Sequence, residues 1–339
     1  MSNLGNIIGT GFLTLDVILN GSKKTPPKFQ AGGSFGNVLT ILSFLGFNTY
    51  PISRLADNKV TDLLLADIQK WDVNIDLIFK QEKGSTPIII HRILKDKYGK
   101  PHHKFEFKNP NNGKWLPSYR PFLSKDVKKI EQCIPKFKLY YFDRVSRSSI
   151  ELAKYARNND ALVYFEPSSY NNSKQFQESL NNSDIIKFSS DRIKNYKEIF
   201  PKNNSILEIE TLGIDGVNYR FKSDNWIHLK PFQVNNVIDT AGAGDWSSSG
   251  IIKMIATNGE LVNQTNEQIE QAINYGQALG AINCLFEGAR GAMYNANLED
   301  VDKLTSLLIN NQFHKASINF KDNTSEFDYS VVESLFNSI

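Results

Sequence analysis

Along most of the chain, short apolar runs rich in β-branched and aromatic residues alternate with stretches whose apolar residues recur every three to four positions. The short runs predict strands over 5–9, 48–53, 86–94, 138–142, 161–166, 184–188, 205–209 and 217–221. The longer period predicts helices over 37–45, 61–71, 124–132, 148–157, 192–199, 245–257 and 267–285. Such alternation implies an α/β fold built on a mostly parallel sheet. Two spans break it. Residues 12–36 and 86–120 carry strand and turn signals without a helix. In HKFEFK, Phe105 and Phe107 share one face, and Lys104, Glu106 and Lys108 the other. The two spans are expected to pair into a small separate sheet, a lid on a single domain covering 1–339; the alternative is a long ordered surface loop. Beyond Asn310 the chain is polar until SVVESLFNSI, where Val331, Val332, Leu335 and Phe336 suit a short amphipathic helix.

Composition narrows the function classes. The 339 residues carry 39 Lys plus Arg against 36 Asp plus Glu, a net charge of +3 with no long basic run, which argues against nucleic acid as a partner. No stretch approaches the roughly 18 apolar residues of a membrane helix. The first residues lack a basic n-region and include Asp16, so they read as a strand and not as a signal peptide. Cys133 and Cys284 define neither a disulfide framework nor a metal spacing, and are expected to be two buried thiols in the reducing cytoplasm.

Three segments carry candidate chemistry. In AGGSFGNVLTILSFLG, residues 31–46, Gly32, Gly33 and Gly36 precede a helix whose Val38, Ile41, Leu42 and Leu45 form one stripe. The glycines allow close backbone approach to a ligand and Asn37 can offer its amide, but a flexible turn with an N-cap explains these residues equally well. In VIDTAGAGDWSSSGIIKMI, residues 237–255, glycines stand at the head of a helix. Bare N–H groups there, with the helix dipole, suit a phosphoryl group in transfer. Asp245 in the first turn can accept the proton of an attacking hydroxyl, or simply complement the dipole. No Gly-Lys-Ser/Thr follows, so this is not a Walker A loop. In ETLGIDGVNYRF, residues 210–221, the glycines make either a hairpin or a place for a nucleotide to lie against the backbone.

AGGSFGNV…LG near the start and DTAGAGD near the end, in this order, resemble the two signatures of the ribokinase-like (PfkB) carbohydrate kinases, and TLGIDG resembles that family's nucleotide-side segment. The resemblance runs over roughly residues 5–300. It implies a three-layer sandwich with a mostly parallel central sheet and a small β-sheet lid, and transfer of the γ-phosphoryl group of ATP to a sugar or nucleoside hydroxyl with Mg2+. By motif position, Asp245 matches the catalytic base, and Gly242, Ala243 and Gly244 the anion hole. Asp16, Gly32, Gly33 and Asn37 match sugar-contacting positions. Thr211, Gly213, Gly216 and Gln277 match nucleotide contacts, and Asp239 and Thr240 a site for a monovalent cation, K+ in the family. The resemblance also implies a homodimer through paired lids.

Two segments depart from the pattern. Ser189-Ser190-Asp191-Arg192 stands where many members carry Asn-x-x-Glu, which puts magnesium handling in doubt. FEPSSY, 165–170, keeps a carboxylate at Glu166 and lacks a later arginine. The expectation is an ATP-dependent sugar kinase; the alternatives are a nucleoside kinase, or a non-catalytic sugar- or nucleotide-binding protein on the same fold. Between His91 and Arg120, eight basic residues face only Asp96 and Glu106. That excess suits either an anionic substrate or, as we favour, a soluble hairpin with a blunted edge.

Overall fold

A computed structural model describes residues 3–20, 28–95, 101–222 and 225–315. Among them the strands are β1 (Asn6–Thr10), β2 (Thr14–Asn20), β3 (Lys28–Gly32), β4 (Asn48–Pro51), β5 (Ser53–Ala56), β6 (Ile78–Gln81), β7 (Ile88–Lys95), β8 (Pro101–Glu106), β9 (Leu139–Phe142), β10 (Leu162–Phe165), β11 (Ile185–Ser189), β12 (Leu207–Thr211), β13 (Val217–Phe221) and β14 (Ile227–Leu229). The helices are α1 (Ser34–Phe44), α2 (Lys59–Gln69), α3 (Ser124–Glu131), α4 (Arg147–Asn158), α5 (Lys174–Asn181), α6 (Tyr196–Ile199), α7 (Ala243–Thr257), α8 (Asn266–Asn283), α9 (Gly291–Asn295) and α10 (Leu298–Ile309).

The central strands LYYF, LVYF and IIKF have no polar face because both faces are covered. Period two sends alternate residues to opposite sides. Ile7, Tyr141, Tyr164 and Ile185 meet Val38 and Leu42 of α1 and Ile251 and Ile255 of α7. Ile8, Tyr140, Val163 and Ile186 meet Leu152 and Ala156 of α4 and Phe176 of α5. The sheet runs β14-β13-β12-β11-β10-β9-β1-β4. It is parallel from β4 to β12, with β13 and β14 antiparallel at one edge. This is the expected α/β class.

The two helix-free spans pair as expected into a separate four-stranded sheet, β3-β2-β7-β8. Phe105 and Phe107 keep half their surface exposed, at 52% and 50%. Arg92 and Lys104 both pair with Glu106, at 2.8 and 2.9 Å, so part of the basic excess is neutralised within the sheet. β5 and β6 form a further two-stranded sheet.

Several expectations shift. Helix α1 starts at Ser34, because Gly33 at φ 81° caps it and its carbonyl accepts from the Asn37 N–H. The helix expected over 192–199 shortens to α6, beginning after Asn195 in the left-handed region. Helices α5, α9 and α10 were not anticipated; α5 buries only Phe176, Ser179 and Leu180 of its eight residues. Cys284 is buried as expected, whereas Cys133 is exposed. The segment 331–336 lies outside the described residues.

Candidate active site

Helix α7 is placed by backbone-to-backbone packing on α8. A Cβ on Gly276 would fall 2.5 Å from the Ser247 carbonyl oxygen, and one on Gly280 would fall 2.6 Å from that of Ala243. Any larger side chain there would push the head of α7 away from α8. Gly242, at φ 75°, caps the helix, and a Cβ on it would meet the Ala289 carbonyl oxygen at 2.0 Å. The Ala243 N–H donates to Thr240 O at 3.3 Å. The N–H groups of Gly244 and Asp245 have no backbone acceptor, as the first turn of a helix dictates. Space over Gly244 is open: the nearest atom to a Cβ there is Lys187 Nζ, 3.9 Å away. Two free N–H groups at a helix start therefore face an accessible position, the geometry of an anion site.

Asp245 and Asn37, 208 residues apart in sequence, meet here: Asn37 Nδ2 donates to Asp245 Oδ2 at 2.7 Å. Burial pushes the Asp245 carboxyl up to about 7; the Glu166 charge adds to the rise, and Asn37, Lys187 and Arg192 oppose it. Asp16, on β2, is likewise pushed up to about 7, first by burial, with Arg290 opposing and Asp245 and Asp67 adding. The Asp245 charge thus reaches Asp16. Gly32 lies directly against Asp16, since a Cβ would fall 2.0 Å from its Oδ2. Gly33 approaches the Phe12 carbonyl oxygen to 2.1 Å by the same measure, so its role is to let β3 turn into α1.

Beneath the Gly244 loop lies a polar cluster that sequence reading missed. Buried Lys187 donates to Glu166 Oε1 at 2.7 Å and to the Gly244 carbonyl oxygen at 3.1 Å. Ser248 and Tyr141 donate to Glu166 Oε2 at 2.5 and 3.1 Å. Its signal was the one charged residue in the otherwise apolar strand IIKF. Glu166 itself reads in the sequence only as a retained carboxylate.

The nucleotide-side candidates divide. TLGIDG is the turn of the β12–β13 hairpin. Gly213, at φ 61°, has nothing within 4 Å of a would-be Cβ, so a flat ligand has access to its backbone. Gly216 is needed by the turn itself, with φ 95° and Leu229 O only 2.2 Å from a would-be Cβ. Thr211 donates to Phe188 O at 3.3 Å, and Gln277, on α8, donates to Asn274 Oδ1 at 3.4 Å. Asp239 is buried, with Oδ1 accepting from the Ala241 N–H and Oδ2 from the Gly288 N–H, both at 2.8 Å, while Thr240 is exposed. Among the described residues no three His, Cys, Asp or Glu side chains cluster as metal ligands, and no helix is long and apolar enough to cross a membrane.

A family model described as pfkB family carbohydrate kinase matches residues 15–295. An ATP-dependent ribose-1-phosphate kinase of Halopiger xanaduensis is 27% identical over 147 residues, 42% of this chain and 46% of that protein. The chain thus aligns with less than half the length of this relative. Among solved structures, Arabidopsis thaliana ribokinase complexed with ribose and ATP superposes with TM-score 0.67 at 15% identity, covering 89% of this chain and 98% of the other. Aminoimidazole riboside kinase from Salmonella enterica, complexed with aminoimidazole riboside and an ATP analogue, gives 0.66 at 17%, covering 88% and 99%. These structural likenesses speak for the fold.

Proposed function

Because the chain belongs to the pfkB family of carbohydrate kinases, we propose that it transfers the γ-phosphoryl group of ATP to a hydroxyl of a sugar. The observation that carries this reading is Asp245. A carboxylate with its pKa near 7, oriented by Asn37, stands in the first turn of a helix whose N–H groups face an open position. Asp245 would accept the proton of the attacking hydroxyl, while the Gly244 and Asp245 N–H groups hold charge developing on the phosphoryl oxygens. Lys187, paired with Glu166, steadies the same loop through the Gly244 carbonyl oxygen. Asp16 would accept hydrogen bonds from sugar hydroxyls, with Gly32, Gly33 and Asn37 shaping that wall. Gly213 and Thr211, with Gln277 on α8, would border the nucleotide. The small sheet would act as a lid that excludes water, the competing acceptor.

Mg2+ would neutralise phosphate charge and be held largely by the phosphates themselves. A monovalent cation would be held near Asp239 and Thr240 by oxygens of this loop, whose Asp239 carboxylate is fixed by two backbone N–H groups. ATP-dependent product formation across sugars and nucleosides tests the proposal. Its failure, with ligand binding retained, would favour the non-catalytic reading that the Ser189–Arg192 departure motivates. A nucleoside as sole acceptor would make it a nucleoside kinase.

A further inference from the structure

Arg290 is a buried cation that neither the family motifs nor the proposed chemistry uses. It is 2% exposed, in the loop between α8 and α9. Its Nη2 donates to Asp67 Oδ2 on α2 and to the Ala31 carbonyl oxygen on β3, both at 2.6 Å. Asp67 Oδ2 in turn accepts the Ala31 N–H at 2.8 Å, and Tyr294 donates to Asp67 Oδ1 at 3.2 Å. Both main-chain groups of Ala31 are therefore clamped by one ion pair. Ala31 precedes Gly32, the residue that lies against the Asp16 carboxylate. Arg290 Nη1 and Asp16 Oδ1 are both buried without a hydrogen-bond partner.

An Arg–Asp pair that served packing alone would be replaceable by apolar side chains at little cost. This pair does more, because Asp16 sits in a field of three charges. Asp67 and Asp245 disfavour its ionisation, and Arg290 is the cation acting against them. A neutral carboxyl at Asp16 would lose acceptor capacity toward hydroxyl groups. We propose that Arg290 is a positioning residue for the phosphoryl acceptor, fixing β3 beneath Asp16 through Asp67 and Ala31 and supplying the cation that offsets the two acids around that carboxylate. The consequence for the acceptor rests on reading Asp16 as the hydroxyl-binding acid.

The test is a carbon-13 NMR titration of the aspartate side-chain carboxyls, with Asp16 and Asp245 assigned from Asp16→Asn and Asp245→Asn. In Arg290→Gln, which retains a donor without the charge, the Asp16 midpoint should rise by on the order of one pH unit. Asp245 should move less than Asp16, since Arg290 is not among the groups that shift it. Arg290→Lys should keep Asp16 close to its native midpoint. If Arg290→Gln does not fold, Arg290→Met combined with Asp67→Leu removes both charges without stranding either, and Asp16 should still rise because Arg290 outweighs Asp67 there. An unmoved Asp16, or equal movement of Asp16 and Asp245, overturns the proposal. Fructose and ribose KM in Asp16→Asn judges the acceptor reading separately. An unchanged KM would remove that reading, while the titration would still decide what Arg290 does.

Discussion

Proton transfer at neutral pH favours a base whose own pKa lies nearby, and burial brings Asp245 to about 7. Turnover should therefore climb about tenfold per pH unit below 7 and level off above about 8. Asp245→Asn should lose about 10²–10⁴ in kcat and flatten that profile while binding sugar nearly as well. The shift also couples to stability. In the unfolded chain the carboxyl returns to 3.8, so between roughly pH 4 and 7 the native state holds more protons. Stability contributed by this group accordingly falls as pH rises through that window. Asp245→Asn removes the effect, and its melting temperature should exceed the native protein's at pH 8 by an amount equivalent to up to about 4 kcal/mol, with little difference at pH 4. Equal melting at both pH values would show that Asp245 is ionised without penalty. The sequence made Asp16, Asn37 and Asp245 visible because each sits in a glycine-marked string. Lys187 and Arg290 escaped notice because their roles arise from partners on distant elements, Glu166 and Asp67, with no local pattern.

The head of α7 separates two kinds of glycine. Gly242 combines a positive φ with a carbonyl 2.0 Å from any Cβ, so Gly242→Ala should cost about 1–3 kcal/mol and displace the loop. Gly244 is helical and open, so Gly244→Ala should leave the melting temperature nearly unchanged. A methyl group there would still intrude where the phosphoryl group must approach, and kcat should drop by at least about tenfold. Comparable activity in Gly244→Ala and the native enzyme would move the phosphoryl site elsewhere. At this scale the helices with broad apolar stripes, α1, α7 and α8, were legible. Helix α5 was not, because only one narrow edge of it touches the body. The β12–β13 turn was ambiguous for another reason: Gly213 and Gly216 look alike in sequence, yet one borders open space and the other is demanded by the hairpin.

Seen whole, the molecule leaves an aromatic patch on its small sheet and the loop beyond: Phe105, Phe107 and Trp115 are 52%, 50% and 73% exposed. Such a surface suits self-association through the proposed lid. Sedimentation should show a species of twice 38.4 kDa that dissociates in Phe105→Glu/Phe107→Glu, and a native monomer at all concentrations would exclude it. The class of fold was readable from the alternation of periods, whereas the order of strands was not, since pairing across a sheet leaves no local trace. That order has a consequence for synthesis. β1 lies between β4 and β9, and its second neighbour, Leu139–Phe142, leaves the ribosome well after Asn48–Pro51. At about 5–20 residues per second, one edge of β1 waits roughly 4–18 s, with Ile7 and Ile8 short of their final cover. During that wait the nascent chain presents an open, apolar strand edge, so its yield on expression depends on how fast it is translated and on what shields it meanwhile.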